Sequence, residues 1–379
     1  MKIGYDAKRL YKNFTGLGNY SRTLAGNLQL YYPENEYYLY TPAIRRNEIT
    51  EAFLNNTAFH TVIPQGKFKG WWRTSGIKKD LKRDQIDIFH GLSHEIPLHI
   101  QHTGIRSVVT IHDIIYRTFP DMYSLIDRKI YDFKFKYACR HADKIIAISE
   151  CTKNDIIRFF GIPESKIAVI YQSIQPIFYK MQEAGESRKK IDHFTIPQDY
   201  LLYVGSVNSR KNLLGIVKAL HLLPPSLQLP LVIIGNGRNY KKQVEEYASA
   251  HQLNNRLIWL NNLNDSSILQ AFYQNARIFI YPSFYEGFGL PVTEALLSKV
   301  PVITSSVSSL PEAGGAYCYY VNPSRPEEIA EGIQKILEDS ALRNTLTEGG
   351  FQFAHKQFDP RLLTQKVHDI YRELVSLRS

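Results

Sequence analysis

The stretch that decides the fold is ARIFIYPSFYEGFGLPVTEALL, residues 276–297. It opens as an apolar run typical of a buried strand, crosses a loop with two glycines, and continues as a helix expected near residues 294–299. Pro291 suits a first helical turn, because the N–H that proline lacks has no intrahelical partner there. Strand, glycine-bearing loop and helix in this order predict a binding edge of an open α/β sheet.

Two carboxylates lie in this stretch, Glu286 in the loop and Glu294 in the expected first turn of the helix. A carboxylate placed there can accept hydrogen bonds from sugar or ribose hydroxyls, while the amides of Phe288 and Gly289 can face an anionic ligand. The alternative is a helix N-terminus that is merely stabilised by acidic side chains. The pair alone does not choose between these interpretations.

Short apolar runs alternate with helix-length segments along the whole chain, which predicts doubly wound parallel sheets. A polar stretch over 174–198 marks a boundary between domains 1–180 and 181–359, and the cleft between them is the expected binding site. The predicted strands are 3–7, 37–40, 57–63, 86–90, 107–111, 144–148 and 167–171 in the first domain, and 200–205, 231–235, 257–260, 278–281, 300–304 and 317–321 in the second.

Bulk composition limits the class of protein. A chain of 379 residues with 44% hydrophobic and 22% charged residues is typical of a soluble protein of two or three domains. No apolar run approaches ~20 residues, and no charged-then-apolar leader precedes the first strand, so we expect a cytoplasmic protein. The three cysteines are isolated, and no Asp-x-Asp or histidine cluster has ligand spacing, so no metal site is expected.

The net charge of +10 is concentrated in residues 1–185, which hold 26 lysines and arginines against 18 acidic residues. Such an excess suits a phosphorylated acceptor, an anionic membrane face or nucleic acid. Residues 67–83 interleave cations with Phe68, Trp71 and Trp72. This segment could rest on a membrane or bind a polyanion, but a surface helix with its tryptophans packed inward explains it slightly better.

Cations and glycines mark the start of the second domain. Gly205 ends a strand, and Arg210 with Lys211 opens the following helix, an arrangement that favours a diphosphate-binding site over a solvated pair. A weaker glycine loop at Gly235 ends the next strand and could line a base or phosphate pocket.

Two weaker motifs lie in the first domain. Gly16 and Gly18 permit a positive φ and a phosphate contact at a helix start, but a tight turn explains them equally well. His112 follows a strand, where it could contact substrate or shuttle protons, or serve only as a structural histidine.

Together these motifs resemble a retaining glycosyltransferase of the GT-B fold, in family 4, and especially the bacterial polysaccharide mannosyltransferases. The resemblance covers nearly the whole chain and implies an α/β protein with two Rossmann-like, doubly wound parallel-sheet domains facing across a cleft. The Glu-x7-Glu block with its upstream Arg-Lys pair is specific, and Val207-Asn208-Ser209 depart from the Thr, Glu and Pro that many relatives carry. The matching segments are Gly16-x-Gly18-x-Tyr20, His112-Asp113, Ser149-Glu150-x-Thr152, Gly205 to Asn212, and Glu286-x7-Glu294.

The resemblance also assigns roles to residues. It implies that Glu294 binds the donor ribose, that Glu286 faces the donor sugar, and that the final helix, 360–379, crosses back onto the first domain. The implied catalytic residues are His112, Glu286, Arg210 and Lys211. The implied donor-binding residues are Gly18, Gly205, Arg210, Lys211, Gly235, Glu286, Phe288, Gly289, Leu290 and Glu294, and the candidate acceptor contacts are His90, His94 and Tyr116.

The implied reaction moves a hexose from a nucleotide diphosphate sugar to an acceptor hydroxyl with retention and without a metal or other cofactor. GDP-mannose is the first candidate donor and a UDP-sugar the second. The acceptor would be a saccharide or lipid-linked saccharide docking on the basic first domain, with the enzyme in the cytoplasm or at the inner face of the membrane. A GT-B epimerase or phosphorylase is the alternative. A nucleic-acid partner is disfavoured because the basic residues are dispersed, and a dinucleotide oxidoreductase because the third glycine is missing.

Overall fold

A computed structural model describes residues 1–65, 69–261, 263 and 265–377. The chain forms two compact units, the first from Met1–Ser173 with Phe358–Ser379 and the second from Ile174–Gln357. The division therefore falls after residue 173, at the start of the polar stretch, where the sequence placed it at 180. The chain returns to the first unit at residue 358.

Unit 1 is built on seven parallel strands: β1 (Lys2–Asp6), β2 (Glu36–Tyr40), β3 (Phe59–Val62), β4 (Ile88–Gly91), β5 (Arg106–Ile111), β6 (Lys144–Ala147) and β7 (Ile167–Val169). Their order across the sheet is β3-β2-β1-β4-β5-β6-β7. The helices between them are α1 (Lys8–Lys12), α2 (Gly16–Tyr31), α3 (Glu48–Leu54), α4 (Lys69–Trp71), α5 (Ile77–Arg83), α6 (Ile115–Thr118), α7 (Leu125–His141) and α8 (Glu150–Phe160).

Unit 2 is built on six parallel strands: β8 (Leu201–Val204), β9 (Leu231–Ile234), β10 (Leu257–Leu260), β11 (Ile278–Tyr281), β12 (Val302–Ser305) and β13 (Tyr319–Val321). Their order is β10-β9-β8-β11-β12-β13. The helices are α9 (Ala184–Ile191), α10 (Leu213–Leu222), α11 (Asn239–Ala250), α12 (Ser266–Gln274), α13 (Leu290–Leu297), α14 (Leu310–Gly314), α15 (Pro326–Glu338), α16 (Ser340–Asn344) and α17 (Gly350–Gln357).

The final helix, α18 (Pro360–Ser376), belongs to unit 1, where Tyr371 bonds to His90 and His368 stacks on Tyr32 at 3.7 Å. Single turns of 3-10 helix and two π-helical turns complete the described structure. The 3-10 turns are Ile100–His102, Pro120–Met122, Glu164–Lys166, Pro176–Tyr179, Asp192–Phe194, Ser209–Lys211, Pro225–Leu227 and Asn254–Arg256, and the π-helical turns are Trp72–Gly76 and Thr345–Gly349.

All thirteen predicted strands are confirmed. They could be recognised because helices on both faces of a parallel sheet bury most of its strand residues, so that the strands read as largely apolar runs. The run LVII of β9, for example, is buried throughout. Counted within each unit, the strand order begins 3-2-1-4-5-6, and it reverses between β1 and β4 in unit 1 and between β8 and β11 in unit 2. Open α/β sheets bind ligands at such a reversal.

The aromatic and basic segment before β4 forms a helical run over residues 69–83. The expectation of inward packing is right for Trp72, which is buried, and wrong for Trp71, which is 64% exposed. Lys67 and Phe68, which contributed to the pattern, lie outside the described residues. Within the described ranges, no helix has both the length and the apolarity needed to cross a bilayer.

Candidate active site

The candidate site in unit 2 is formed by the loops that follow β8 and β11, the two strands at the reversal of strand order. Gly205 begins the first loop with a φ of 152°, and Gly289 ends the second with a φ of 118°. A side chain is strained in either conformation, and a Cβ at Gly289 would lie 2.9 Å from a methyl group of Leu310. Both loops therefore need glycine where they turn.

Local hydrogen bonds hold the two cations of the first loop in place. Arg210 and Lys211 form a 3-10 turn in which the side chain of Asn208 accepts a bond from the Lys211 amide at 3.2 Å. Asn212 follows in the left-handed region, with φ at 58°, and its side-chain amide donates to the carbonyl of Pro282 at 3.2 Å. That bond joins the first loop to the start of the second.

Glu286 lies at the centre of the site and is almost fully buried. Its Oε1 lies 2.9 Å from Nη1 of Arg210 and 3.4 Å from Nζ of Lys211. The same oxygen accepts hydrogen bonds from the hydroxyls of Tyr281 at 2.9 Å and Ser283 at 2.8 Å. Burial acts to raise the pKa of Glu286, but the two cations and the serine bond outweigh it and lower the pKa to about 2. This carboxylate is ionised at neutral pH.

The two cations outnumber the carboxylate that binds them. Nζ of Lys211 bonds to the Tyr281 hydroxyl and lies 4.8 Å from the centre of that ring, and burial lowers the pKa of Lys211. Arg210 also donates to the carbonyl of Tyr285. With Glu286 ionised, the cluster keeps an excess positive charge in a buried setting, which suits an anionic ligand. Across the described ranges, no three His, Cys, Asp or Glu side chains gather as a metal site, and metal independence stays a prediction.

Glu294 is in a different environment from Glu286. Its Oε2 accepts one hydrogen bond from the hydroxyl of Tyr273 at 3.2 Å. Burial raises the pKa of Glu294 to about 7, although the Tyr273 bond and the charge of Lys211 oppose the shift. The expectation of a first-turn position is wrong, because α13 begins at Leu290 and Glu294 is its fifth residue. The helix dipole therefore stabilises this carboxylate less than the sequence suggested.

The N-terminus of α13 closes the second loop. Gly289 is its N-cap, and Pro291 lies in its first turn, as the sequence predicted for the proline. The hydroxyl of Ser309 lies 2.8 Å from the carbonyl oxygens of both Glu286 and Phe288, which fixes the loop against its neighbour. A helix leaves its first N–H groups without intrahelical partners, so this end can receive an anion. Donor contacts at Phe288, Gly289 and the partly exposed Leu290 remain predictions.

Gly235 has a structural explanation. A Cβ there would lie 1.9 Å from the carbonyl oxygen of Gly205, so the two loops can approach only because residue 235 has no side chain. Gly235 thus allows the two loops to pack closely, whether or not it contacts a ligand.

In unit 1, Gly16 and Gly18 lie in the first turn of α2, and neither adopts the positive φ that glycine permits. The amide of Gly18 donates to Oδ1 of Asn13 at 3.0 Å, and a Cβ would lie 1.7 Å from the Asn13 carbonyl oxygen. Close packing against Asn13 therefore accounts for glycine at position 18. The proposed phosphate contact would have to share an amide that already has an acceptor.

His112 is buried, and both of its ring nitrogens are engaged. Nε2 donates to the carbonyl of Leu92 at 2.9 Å, and Nδ1 accepts from the side-chain amide of Gln172 at 2.8 Å. Burial lowers the pKa of His112 to about 4, so the ring is neutral at pH 7. The structure favours the structural interpretation of this histidine over the proton shuttle.

The three candidate acceptor contacts differ in what they can reach. His90 is wrong as a contact, because it is fully buried and its ring bonds to Tyr371 at 2.5 Å and Thr110 at 2.8 Å. The ring of His94 stacks on Phe135 at 4.2 Å, and its Nδ1 has no partner among the described residues. Tyr116 is buried except where it lines a surface groove beside α7. His94 and Tyr116 remain predictions.

Sequence reasoning missed three hydroxyls that complete the unit 2 site, those of Tyr273, Tyr281 and Ser283. Tyr281 had a visible signal, because it is the last residue of β11 and carries a polar end into the loop edge. Tyr273 had none, since it lies in α12 and reaches Glu294 only through tertiary packing.

Two family models together match most of the chain. Residues 14–176 match the family model described as glycosyltransferase family 4, and residues 186–353 match that of glycosyl transferases group 1. O-antigen chain mannosyltransferase B of Escherichia coli is 28% identical over 99% of this chain and 100% of its own length.

Solved structures share the fold of this chain. Sucrose-phosphate synthase from Thermosynechococcus elongatus has a TM-score of 0.78 at 19% identity, covering 100% of each chain. HepE of Anabaena, solved in complex with UDP and glucose, has a TM-score of 0.74 at 17% identity, covering 97% of this chain and 98% of its own. The fold is therefore GT-B, as the sequence predicted.

Proposed function

Because the chain belongs to the group 1, family 4 glycosyltransferases, we propose that it transfers mannose from a nucleotide diphosphate sugar to an acceptor saccharide, with the anomeric configuration retained. The similarity to an O-antigen chain mannosyltransferase supports mannose and a role in cell-surface polysaccharide or glycolipid synthesis. GDP-mannose is the first candidate donor. A UDP-sugar is the second, since the similar fold of HepE was solved with UDP.

The observation that carries the proposal is the meeting of Arg210, Lys211 and Glu286 at the reversal of the unit 2 sheet. Departure of the nucleoside diphosphate concentrates negative charge on its terminal phosphate, and buried cations stabilise that charge more strongly than water does. The pair supplies the positive charge that a metal ion supplies elsewhere, so we propose that the reaction needs no metal.

The two glutamates divide the donor between them in this proposal. Glu294 accepts hydrogen bonds from the ribose hydroxyls, and its single bond to Tyr273 leaves oxygen lone pairs for them. Glu286 faces the sugar hydroxyls with the oxygen that does not hold the cations. A Glu286 with a pKa of about 2 stays ionised while it does so.

The proposed chemistry is a displacement on one face of the sugar. The bond between the anomeric carbon and the phosphate oxygen breaks as a bond forms between that carbon and the acceptor oxygen. The departing phosphate oxygen takes the acceptor proton, which leaves no proton for His112 to carry. That assignment agrees with a neutral ring whose two nitrogens are already bonded.

The acceptor is proposed to be a saccharide or lipid-linked saccharide that docks on the basic unit 1, with the enzyme at the inner face of the membrane. The charge excess of residues 1–185 supports an anionic partner on this side. We propose no nucleic-acid partner.

A panel of GDP-mannose, UDP-glucose, UDP-galactose, GDP and UDP tests the donor class by thermal shift and by release of nucleoside diphosphate. We expect guanine nucleotides to raise Tm, GDP-mannose alone to be turned over, and EDTA to leave turnover unchanged. Lys242→Ala, an exposed cation on α11, is the control for Lys211→Ala. The proposal would be refuted if no nucleotide raised Tm, or if Lys211→Ala and Lys242→Ala lost turnover equally.

A further inference from the structure

The outward side of α7 in unit 1 carries large apolar side chains that nothing covers among the described residues. Leu125 and Ile126 are each 72% exposed, Phe133 is 61% exposed and Ile130 is 44% exposed. The helix also has a side that faces the core, on which Phe135, Ala138 and Cys139 are buried. The exposed residues are therefore an additional apolar face.

This face also carries cations. At about 100° per residue, Leu125, Ile126, Ile130 and Phe133 fall within an arc of about 140° of the helix. Lys129, Lys136 and Arg140 fall within the same arc, and no acidic residue of α7 does. We call these seven residues the α7 face.

A groove of about 530 Å³ runs along one side of the α7 face, between it and Tyr116 with Arg117. Arg128 adds a further cation to its lining. The single acidic residue in the lining, Asp132, is already bonded to Nε of Arg117 at 2.8 Å and to the Tyr116 hydroxyl at 3.2 Å. The groove and face together hold a clear excess of positive charge beside exposed apolar surface.

We propose that the α7 face docks this enzyme onto an anionic lipid bilayer. Isoleucine, leucine and phenylalanine side chains at one side of a helix can enter the boundary between headgroups and acyl chains, while neighbouring lysines and arginines meet lipid phosphates. The inference deepens the proposed function, on which it rests for the acceptor: a lipid-linked saccharide would be met at the surface that holds it.

The α7 face is a better candidate for membrane contact than the segment over 69–83. That segment has one exposed aromatic, Trp71, and buries its other tryptophan. Arg83 there is paired with Asp80 and Asp84, which cancels much of its attraction for lipid. The α7 face joins four exposed apolar side chains to three cations, and Asp132, the acidic residue beside Lys129 and Lys136, is already paired with Arg117.

Co-sedimentation with vesicles tests the proposal on the full chain. Wild type should bind vesicles of phosphatidylglycerol and phosphatidylcholine, bind pure phosphatidylcholine far less, and be released as NaCl rises from 0.1 to 0.5 M. Lys129→Gln/Lys136→Gln/Arg140→Gln should lower the partition coefficient about a hundredfold, since each cation near an anionic surface contributes about fivefold. Leu125→Ser/Ile126→Ser/Phe133→Ser should also lose binding.

Matched controls separate the face from net charge and from general hydrophobicity. Lys79→Gln/Lys82→Gln/Lys366→Gln removes three exposed cations elsewhere in unit 1, and Leu30→Ser/Leu362→Ser removes two exposed leucines. Both should bind vesicles as wild type does. Equal losses in face and control variants, or no binding of wild type to anionic vesicles, would overturn the proposal.

Two further readouts keep this inference distinct from the proposed function and from a protein partner. All face variants should retain hydrolysis of GDP-mannose, so a protein that turns over donor yet ignores vesicles refutes the docking surface alone. A protein that binds vesicles but no nucleotide refutes the enzyme proposal alone. A wild-type dimer in light scattering that Leu125→Ser/Ile126→Ser/Phe133→Ser converts to monomer would make the face a contact between copies, and the lipid proposal would fall.

Discussion

Replacing Glu294 with glutamine removes a carboxyl group whose proton affinity depends on folding. The side chain keeps its size, and its amide oxygen can still accept the bond that the Tyr273 hydroxyl donates at 3.2 Å. What the substitution removes is the ionisation of a partly buried group. Any change in the pH dependence of stability can then be assigned to that ionisation.

The magnitude follows from the pKa of about 7 in the folded protein against an ordinary value of 4.5. Between these values the folded protein holds a proton that the unfolded chain has lost, so the free energy of unfolding falls as pH rises through this window. A difference of about 2.5 between the two pKa values corresponds to about 3 kcal/mol in the free energy of unfolding. Relative to wild type, Glu294→Gln should therefore gain about 3 kcal/mol between pH 4.5 and pH 8.

Urea unfolding of both proteins at pH 5, 6, 7 and 8 measures this difference. Glu246→Gln, which removes an exposed carboxylate from α11, should follow the wild-type curve. Parallel pH dependences for wild type and Glu294→Gln would refute the buried environment assigned to this carboxyl.

Glu286 has the opposite linkage: its pKa of about 2 gives stability that is present above pH 4.5 and lost as pH falls through 2.

In the role proposed for Glu294, ribose hydroxyls donate to the ionised carboxylate, so the same ionisation should appear in nucleotide binding. From pH 6 to pH 8 the Kd of GDP should fall by up to about tenfold more in wild type than in Glu294→Gln, which reports only the ionisation of the GDP phosphate. Equal pH dependences of Kd in the two proteins would separate Glu294 from the ribose.

Three other predictions test the site and its scaffold. Lys211→Ala should lower GDP-mannose turnover by about 10²-fold or more, since one buried charge-stabilising group is lost, and a variant with a native circular dichroism spectrum and near-normal turnover would contradict this role. Gly235→Ala should lower the free energy of unfolding by about 2 kcal/mol or more, because its Cβ would meet a carbonyl oxygen at 1.9 Å, whereas Gly26→Ala, with open space around it, should not. The ring of His112 should give ¹⁵N shifts of a neutral Nε2–H tautomer from pH 5 to 8, and titration in that range would contradict its burial.

The strands could be predicted from sequence because each is short, apolar and bounded by polar or glycine-bearing segments. The first residue of each helix was harder to predict. The helix after β11 was expected near Glu294, yet α13 begins at Leu290 because Pro291 sits in its first turn and Gly289 provides the cap. The proline was recognised, but a Phe-Gly-Leu-Pro sequence gives no apolar periodicity from which to count back the first turn.

The histidines show a second limit of sequence reasoning. His90 and His112 each follow or end a strand at the ligand-binding edge, and position alone made them contact candidates. The sequence does not show which residues become their hydrogen-bonding partners. Tyr371 lies 281 positions from His90, and Gln172 lies 60 positions from His112. Both rings point into the unit because their hydrogen-bonding partners are buried there. Only the folded chain brings these partners close to the histidines.

The cluster at Glu286 was anticipated as two separate features, a diphosphate clamp and a sugar-facing carboxylate. The sheet order makes them one feature, because β8 and β11 are neighbours although Glu286 follows Arg210 by 76 positions in the sequence. A donor diphosphate would therefore not meet free cations: it would share or replace contacts that Glu286 already makes at 2.9 and 3.4 Å. The net gain from binding is then smaller than two unpaired cations would give, and it grows only as the phosphate gains charge on leaving. Cations that are partly paired in this way favour the transition state over the bound donor, which is the condition for them to accelerate transfer.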